Sequence, residues 1–451
     1  MLDITFLQNK NILILGAGLS GMSCARFLAS HNIHFALNDS RESAVNEDEF
    51  AKDFPLSTLT TGSWDQTLIS SAQIILVSPG IDTSIDEISQ YLSPNVEMYG
   101  DIELYYRLTQ TPTIAVTGSN GKSTVVSLVA HIGKSLGLNV ELAGNIGVPP
   151  LDIIEQDLDM LVLELSSFQL ETLSSMNAVS ASLLNLCDDH LDRHKTLENY
   201  QAIKQRIYQQ TQCAVINRDD SASHYSGQTK QLGFTANKPK ANEFGICDHQ
   251  NTPYLMHGDT PLIAIDDLPL SGNHNAINCL AALALGYAAN WPLEKMVTAL
   301  TSFEGLPHRC QRVPSNDGKT WINDSKATNV GATLAAITGL ASPNRRLILI
   351  AGGQGKGADF SPLTKQLEEN VDSAILFGED QTLIKAVCPK TLDVHLVNDL
   401  GAATTLANEL TTDNDIVLFS PACASFDQFK SYIARGNAFI KHVEEVSQCK
   451  A

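Results

Sequence analysis

The chain has 451 residues, 43% of them hydrophobic and 18% charged, which is too long for one ordinary core and too apolar for disorder, so two or three folded domains are expected. A formal net charge of −20 argues against a nucleic-acid partner, because phosphate backbones are bound by basic stripes. Anions must instead be met by a few local cations, helix N-termini or metals.

The first predicted strand is the apolar run Ile12 to Leu15, followed by "GAGLSG" and a helix-like stretch. Gly16, Gly18 and Gly21 have the G-x-G-x-x-G spacing, and Asp39 follows about 20 residues on, where a dinucleotide-binding fold places an acid for a ribose. Taken alone, the stretch reads as the mouth of a nicotinamide or flavin enzyme. The runs "HFALND" and "IILVSPG" end in similar turns, the pattern of a parallel sheet covered by helices. Gly18, Asp39, Ser40, Arg41 and Gly80 should then share the rim at the strands' carboxyl ends.

A fresh strand signal follows Pro112. "VTGSNGKST", Val116 to Thr124, joins a strand to a helix through a glycine loop whose backbone N–H groups can cradle phosphates. Val116 stands where the usual loop has its first glycine, so Gly118 anchors the turn, with Asn120 and Gly121 completing it. Lys122 can reach the β- and γ-phosphates, and Ser123 or Thr124 can offer a hydroxyl to Mg²⁺. Glu164 ends the apolar run "MLVLE", where such enzymes need an acid for the metal; the plainer reading is a strand-terminal carboxylate. "CDDHLDRH" gathers Asp188, Asp189, His190, Asp192, Arg193 and His194. It reads either as a solvated turn or, beside Lys122 and Glu164, as the source of His190 for a second hard cation. Zinc is disfavoured because no second His/Cys cluster has ligand spacing.

From Asn217 to about Ser271 the chain turns polar and irregular, with short strands and hairpins, and the helix "NHNAINCLAALALGYAA" follows. A third α/β block starts near Leu306, with "RRLILIAGGQGKG", "SAILFG" and "DIVLFSPACAS". The fold expected is α/β in three domains: Rossmann-like over 1–100, P-loop mononucleotide-binding over 101–305 and Rossmann-like over 306–451. Hinges are expected near Gly100 and Leu306. The nine cysteines form no C-x-x-C pair, and neither a signal-peptide layout nor a membrane-length apolar run is seen. A cytoplasmic monomer without membrane insertion is expected.

In this order, "TGSNGKST", "AGNIG", "ELSSFQL", "DDHLDRH", "SGNHN", "LPHR" and "NDSKATN" resemble the Mur ligase family over essentially the whole chain. "GAGLSG", "NDSR", "DSKATNVGAT", "GGQGKGADF" and "SPACASFDQF" resemble its D-glutamate-adding branch. The resemblance implies ATP-dependent addition of D-glutamate to UDP-N-acetylmuramoyl-L-alanine through an acyl phosphate, for peptidoglycan precursors. The first domain would then hold the UDP-sugar rather than a nicotinamide, with the glycine turn at the diphosphate and Asp39, Ser40 and Arg41 near uridine. Asn145, Gln169 and His190 would face the sugar–alanine ligand.

The same resemblance puts Thr124 and Glu164 on the metal of ATP and His190 on a second Mg²⁺. It implies that Lys204 is carbamylated near the metals; by itself Lys204 reads as an ordinary helix-face lysine. Asn275 and Asn278 would lie near the adenine or its phosphates, Arg309 would supply charge, and Asp324 would contact the ribose; the two asparagines read equally well as capping or surface residues. Lys326, Thr328, Lys356, Ser425, Phe426 and Tyr432 would take D-glutamate. Lys122, His190 and Lys204 would be catalytic. A non-catalytic nucleotide-binding regulator is the rival from another class, disfavoured by the joint retention of Lys122, Thr124, Glu164, His190 and Lys204.

Overall fold

The computed structural model describes residues 2–448 apart from Asp188, His190, Pro269, Ser271 and Pro343, with the backbone only for Leu191, Asp192 and Gln448. Three mostly parallel sheets carry the chain. The first has strands β1 (Ile12–Leu15), β2 (Ala36–Asp39), β3 (Thr58–Thr61), β4 (Ile74–Val77) and β5 (Glu97–Tyr99), in the order β3-β2-β1-β4-β5. Every pairing in it is parallel. All four residues of β1 and of β4 are buried, as continuous apolar strands must be when helices cover both faces. The strand order reverses between β1 and β4, which opens a crevice at their carboxyl ends.

The second sheet comprises β6 (Thr113–Thr117), β7 (Val140–Gly144), β8 (Met160–Glu164), β9 (Ser180–Leu183), β10 (Cys213–Asn217), β11 (Lys230–Phe234), β12 (Phe244–His249), β13 (Thr252–His257) and β14 (Thr260–Ala264). Its order is β14-β13-β12-β11-β10-β9-β6-β8-β7. β6, between β8 and β9, is the switch point from which the second glycine loop leaves. The polar region after Asn217 is more regular than its composition suggests. It extends the sheet through β11 and the antiparallel pair β12–β13, whose half-exposed residues dilute the apolar signal.

The third sheet comprises β15 (Gln311–Val313), β16 (Thr320–Asn323), β17 (Leu347–Gly352), β18 (Ser373–Phe377), β19 (Asp393–Leu396) and β20 (Ile416–Phe419), in the order β15-β16-β20-β17-β18-β19. Only the β15–β16 pairing is antiparallel.

The chain divides into two bodies, 1–263 with 278–300, and 264–277 with 301–451. The first body holds both N-terminal sheets, and one apolar core runs through it from Ile12 and Ile14 to Ala115, Leu161 and Ala181. Polar clasps reinforce it. Asp152 accepts from Ser23 Oγ at 2.9 Å and Arg26 Nη2 at 2.6 Å. Buried Glu103 accepts from the N–H groups of Ser174 (2.7 Å) and Ser175 (2.9 Å) and from both hydroxyls. No division therefore falls at the expected hinge near Gly100, where packing and hydrogen bonds cross the boundary; one does fall after Leu300, close to the second.

Candidate active site

At the first crevice, the turn after β1 is closed against the helix Leu19–Ser30. A Cβ added at Gly21 would lie 1.9 Å from the Gly16 carbonyl oxygen, so this close approach admits glycine alone. Ser78 Oγ donates to the same carbonyl at 2.9 Å, tying the ends of β1 and β4 together. Gly18 N-caps the helix, and Gly80 lies in the turn after β4 with open space at its Cβ.

Asp39 ends β2. Its Oδ2 accepts the Ala17 N–H at 2.8 Å, and Arg41 grips both oxygens, Nε to Oδ1 at 2.9 Å and Nη2 to Oδ2 at 2.7 Å. Burial works to raise the Asp39 pKa, but the Arg41 guanidinium and the two backbone N–H donors outweigh it and hold the carboxyl at about 2. A carboxylate so engaged holds the glycine turn and orients Arg41. It is not poised to hold a ribose, as a dinucleotide site would need. Ser40 and Arg41 sit exposed beside it.

The second loop is ordered from below. Ser119 N–H donates to the Asn185 carbonyl at 2.9 Å, and the Asn185 side chain both accepts from Asn120 N–H (2.8 Å) and donates to the Asn120 carbonyl (3.1 Å). The spacing of G-x-x-G-K-S-T gave no hint of Asn185, which arrives from the end of β9. Gly121 N-caps the helix Lys122–Ser135 at φ 80°, and a Cβ there would lie 2.6 Å from Asn278 Oδ1. Ser123 and Thr124 are buried in the first turn. Lys122 Nζ donates to the Gly118 carbonyl at 2.7 Å and the Ser119 carbonyl at 2.8 Å, curling back over the loop.

Glu164 ends β8 beside this loop. Its Oε1 accepts from Asn145 Nδ2 at 2.8 Å, while its Oε2 is buried with no hydrogen-bond partner among the described residues. An orphaned buried carboxylate oxygen is costly, and it is, like the Thr124 hydroxyl, a hard oxygen donor of the kind Mg²⁺ takes. Gln169 is buried in a capping box, its Oε1 accepting from Ser166 N–H at 2.9 Å. A ligand contact from Gln169 would therefore fall to its Nε2. His190, expected at the second metal, lies outside the described residues.

Lys204 is only 2% exposed, so it is not the ordinary helix-face lysine its sequence suggests. Its Nζ donates to Thr117 Oγ1 at 3.1 Å and the Gly118 carbonyl at 3.0 Å. Burial first, and the neighbouring Lys122 cation second, push its pKa well below that of a free lysine, against the pull of Asp189 and Glu164. A buried amine that sheds its proton is a nucleophile able to take up CO₂. As an amine it offers a metal no hard oxygen; only the carbamate would.

In the second body, Asp324 follows β16. Its Oδ1 accepts the Cys310 N–H at 3.1 Å and its Oδ2 accepts Ser420 Oγ at 2.8 Å. Burial raises its pKa to about 6, despite those bonds and the Arg309 charge nearby. Lys326 Nζ lies 4.0 Å from the centre of the Tyr432 ring, and Lys356 Nζ lies 5.2 Å from that of Phe426. Ser425 is buried and Phe426 is 62% exposed. Thr328 follows in the same turn as Lys326, its N–H bonded to the Lys326 carbonyl. Asn275 belongs to this body and Asn278, one turn further along the helix Asn273–Ala288, to the first; both are buried.

Three segments match family models. Residues 10–100 match the MurD-like N-terminal domain of Mur ligases, 116–286 the Mur ligase middle domain, and 308–423 the Mur ligase glutamate ligase domain. The chain belongs to the Mur ligase family. More narrowly, it is 49% identical to the UDP-N-acetylmuramoylalanine--D-glutamate ligase of Colwellia psychrerythraea over 98% of each chain. It is 43% identical to that of Nitrosococcus oceani over 97% of each. Among solved structures, MurF from Acinetobacter baumannii shares the fold, with a TM-score of 0.61 over 95% of this chain and 93% of that one at 15% identity.

Proposed function

We propose that this chain is an ATP-dependent ligase that adds D-glutamate to UDP-N-acetylmuramoyl-L-alanine in peptidoglycan precursor synthesis. The observation that carries this is the near-full-length likeness to D-glutamate ligases. The glycine crevice of the first sheet takes the UDP-sugar, with Gly18 and Gly80 at the diphosphate and Asp39, Ser40 and Arg41 toward uridine. Asn145, Gln169 and His190 face its alanine end. The loop Gly118–Thr124 takes ATP together with Asn275, Asn278, Arg309 and Asp324. Lys326, Thr328, Lys356, Ser425, Phe426 and Tyr432 take D-glutamate.

The alanine carboxylate attacks the γ-phosphate of ATP to give an acyl phosphate and ADP. The amine of D-glutamate then adds to the acyl carbon, and the tetrahedral intermediate expels phosphate, leaving an amide. The first step joins two anions, so positioning and charge neutralisation dominate it. Lys122 and Arg309 supply fixed positive charge. Thr124, Glu164, His190 and a carbamylated Lys204 would hold two Mg²⁺ ions, which supply further charge neutralisation when bound. Domains spanning 1–100, 101–305 and 306–451, a monomeric state and a cytoplasmic location complete the reading. Among the described residues no helix is long and apolar enough to cross a membrane.

Phosphate release from Mg-ATP and UDP-N-acetylmuramoyl-L-alanine tests the function, with D-glutamate, L-glutamate, L-alanine or no amino acid added. Release only with D-glutamate is expected. Release with another amino acid would move the enzyme to a different step. No release, with the UDP-sugar still bound, would favour a regulator.

A further inference from the structure

Arg435 lies one turn into the helix Tyr432–Gln448 and is fully buried. Its sequence setting, "SYIARGNAF", gives no sign of this. Its guanidinium makes four hydrogen bonds: Nε to Ser325 Oγ at 3.1 Å, Nη2 to the Ser325 carbonyl at 2.8 Å and the Cys423 carbonyl at 3.0 Å, and Nη1 to the Ala424 carbonyl at 3.1 Å. Among the described residues no carboxylate is hydrogen-bonded to it. A buried arginine is ordinarily matched by an acid, because taking the charge out of water is expensive. Here its hydrogen bonds go to the carbonyls and a hydroxyl of two loops, the Phe419 ring lies 5.8 Å away, and Asp427 acts on it through its charge alone.

Those loops are the ones that carry the amino-acid residues. Ser325 lies between Asp324 and Lys326 in the turn after β16. Cys423 and Ala424 precede Ser425 and Phe426 in the turn after β20. Ala424 in turn exchanges two backbone hydrogen bonds with Gln354, at 2.9 and 3.0 Å, which brings in the turn after β17 that carries Lys356. Ser325 Oγ also donates to the Tyr432 carbonyl at 2.8 Å. One guanidinium thus lies under the three turns and the helix start.

We propose that Arg435 is a positioning residue for the amino-acid substrate: by clipping the β16 and β20 turns together it sets the spacing of Lys326, Ser425 and Lys356. This rests on the reading that those residues take D-glutamate. It also leaves a positive charge, offset only through space by Asp427 and hydrogen-bonded to carbonyls, against the turns that carry those residues. Burial brings its pKa down to about 10, so the charge persists at neutral pH. Lysine cannot substitute, since a point-like ammonium with three donors does not span four acceptors on two loops.

The test measures KM for each of the three substrates, with thermal midpoints, in Arg435→Lys, Arg435→Gln, Ser325→Ala and Ser425→Ala. Arg435→Lys should raise KM for D-glutamate by about tenfold, the scale of a modest misplacement of binding groups. Arg435→Gln should raise it further. KM for ATP and for the UDP-sugar should stay within about twofold, a split that simple destabilisation would not produce. Ser325→Ala removes one of the four bonds and should raise KM for D-glutamate by about threefold, which keeps the test open if the arginine variants fold poorly. An unchanged KM for D-glutamate in Arg435→Lys and Ser325→Ala, with Ser425→Ala raising it, overturns the role. Three KM values rising together with a fallen midpoint overturn it too. If Ser425→Ala also leaves KM for D-glutamate unchanged, the amino-acid site itself has been misassigned, and the proposal falls with it.

Discussion

Replacing Glu164 by Gln asks whether the buried Oε2, which has no hydrogen-bond partner among the described residues, is kept for a cation. Leaving such an acceptor unsatisfied costs about 1–3 kcal/mol, which a bound ion would recover. Expressed as affinity, this is roughly fivefold to 150-fold, at 1.4 kcal/mol per decade. A ligand at about 100 times its Kd stabilises the fold by about 2.7 kcal/mol, and one bound 100-fold more weakly by only about 0.4 kcal/mol. The difference, about 2.3 kcal/mol, corresponds to roughly 4–6 °C in melting temperature for a body of this size. The assay is a thermal melt of both proteins with and without Mg²⁺ and a non-hydrolysable ATP analogue. Without ligand, Glu164→Gln should melt at or slightly above the unmodified protein, because a buried charge has gone. An equal ligand-induced rise in both proteins would refute the metal role.

Lys122→Ala should abolish phosphate release while leaving UDP-sugar affinity within about twofold; titration calorimetry showing equal loss of both would contradict separate sites. Gly21→Ala puts a methyl 1.9 Å from the Gly16 carbonyl oxygen, so the turn or helix must shift. UDP-sugar affinity should fall by more than about tenfold with nucleotide binding intact, and unchanged affinity for the sugar would rule out that crevice. Asp324 has a folded-state pKa raised to about 6, so its protonation favours folding. That contribution is present below about pH 4 and is lost as pH rises through 6. Relative to Asp324→Asn, the unmodified protein should lose roughly 3 kcal/mol across that window. Parallel urea-unfolding curves for the two proteins at pH 4 and pH 7 would show the carboxyl to be unperturbed.

The two glycine loops were legible because their chemistry is local: strand, turn and helix N-terminus are contiguous in the chain. Asp39 was legible as a residue but not in its bonding, since only the fold shows its oxygens taken by Ala17 and Arg41. Lys204 and Arg435 share one cause of illegibility. Each lies on a helix where a lone cation normally faces water, and each is buried only because strands or turns distant in sequence close over it. The strands after Asn217 were blurred for a third reason, as strands with half-exposed residues lose the continuous apolar run that marks β1 and β4.

The clasp between the first two sheets constrains how such a gene can be recombined. A crossover near codon 100 would bring a first sheet against foreign partners for Ser23 and Arg26, and would split an apolar core that runs across the junction. A crossover near codon 300 follows a natural division between bodies. Chimaeras between relatives should survive the second cut far more often than the first. Over time, the sequences of the first two domains should be inherited as one block.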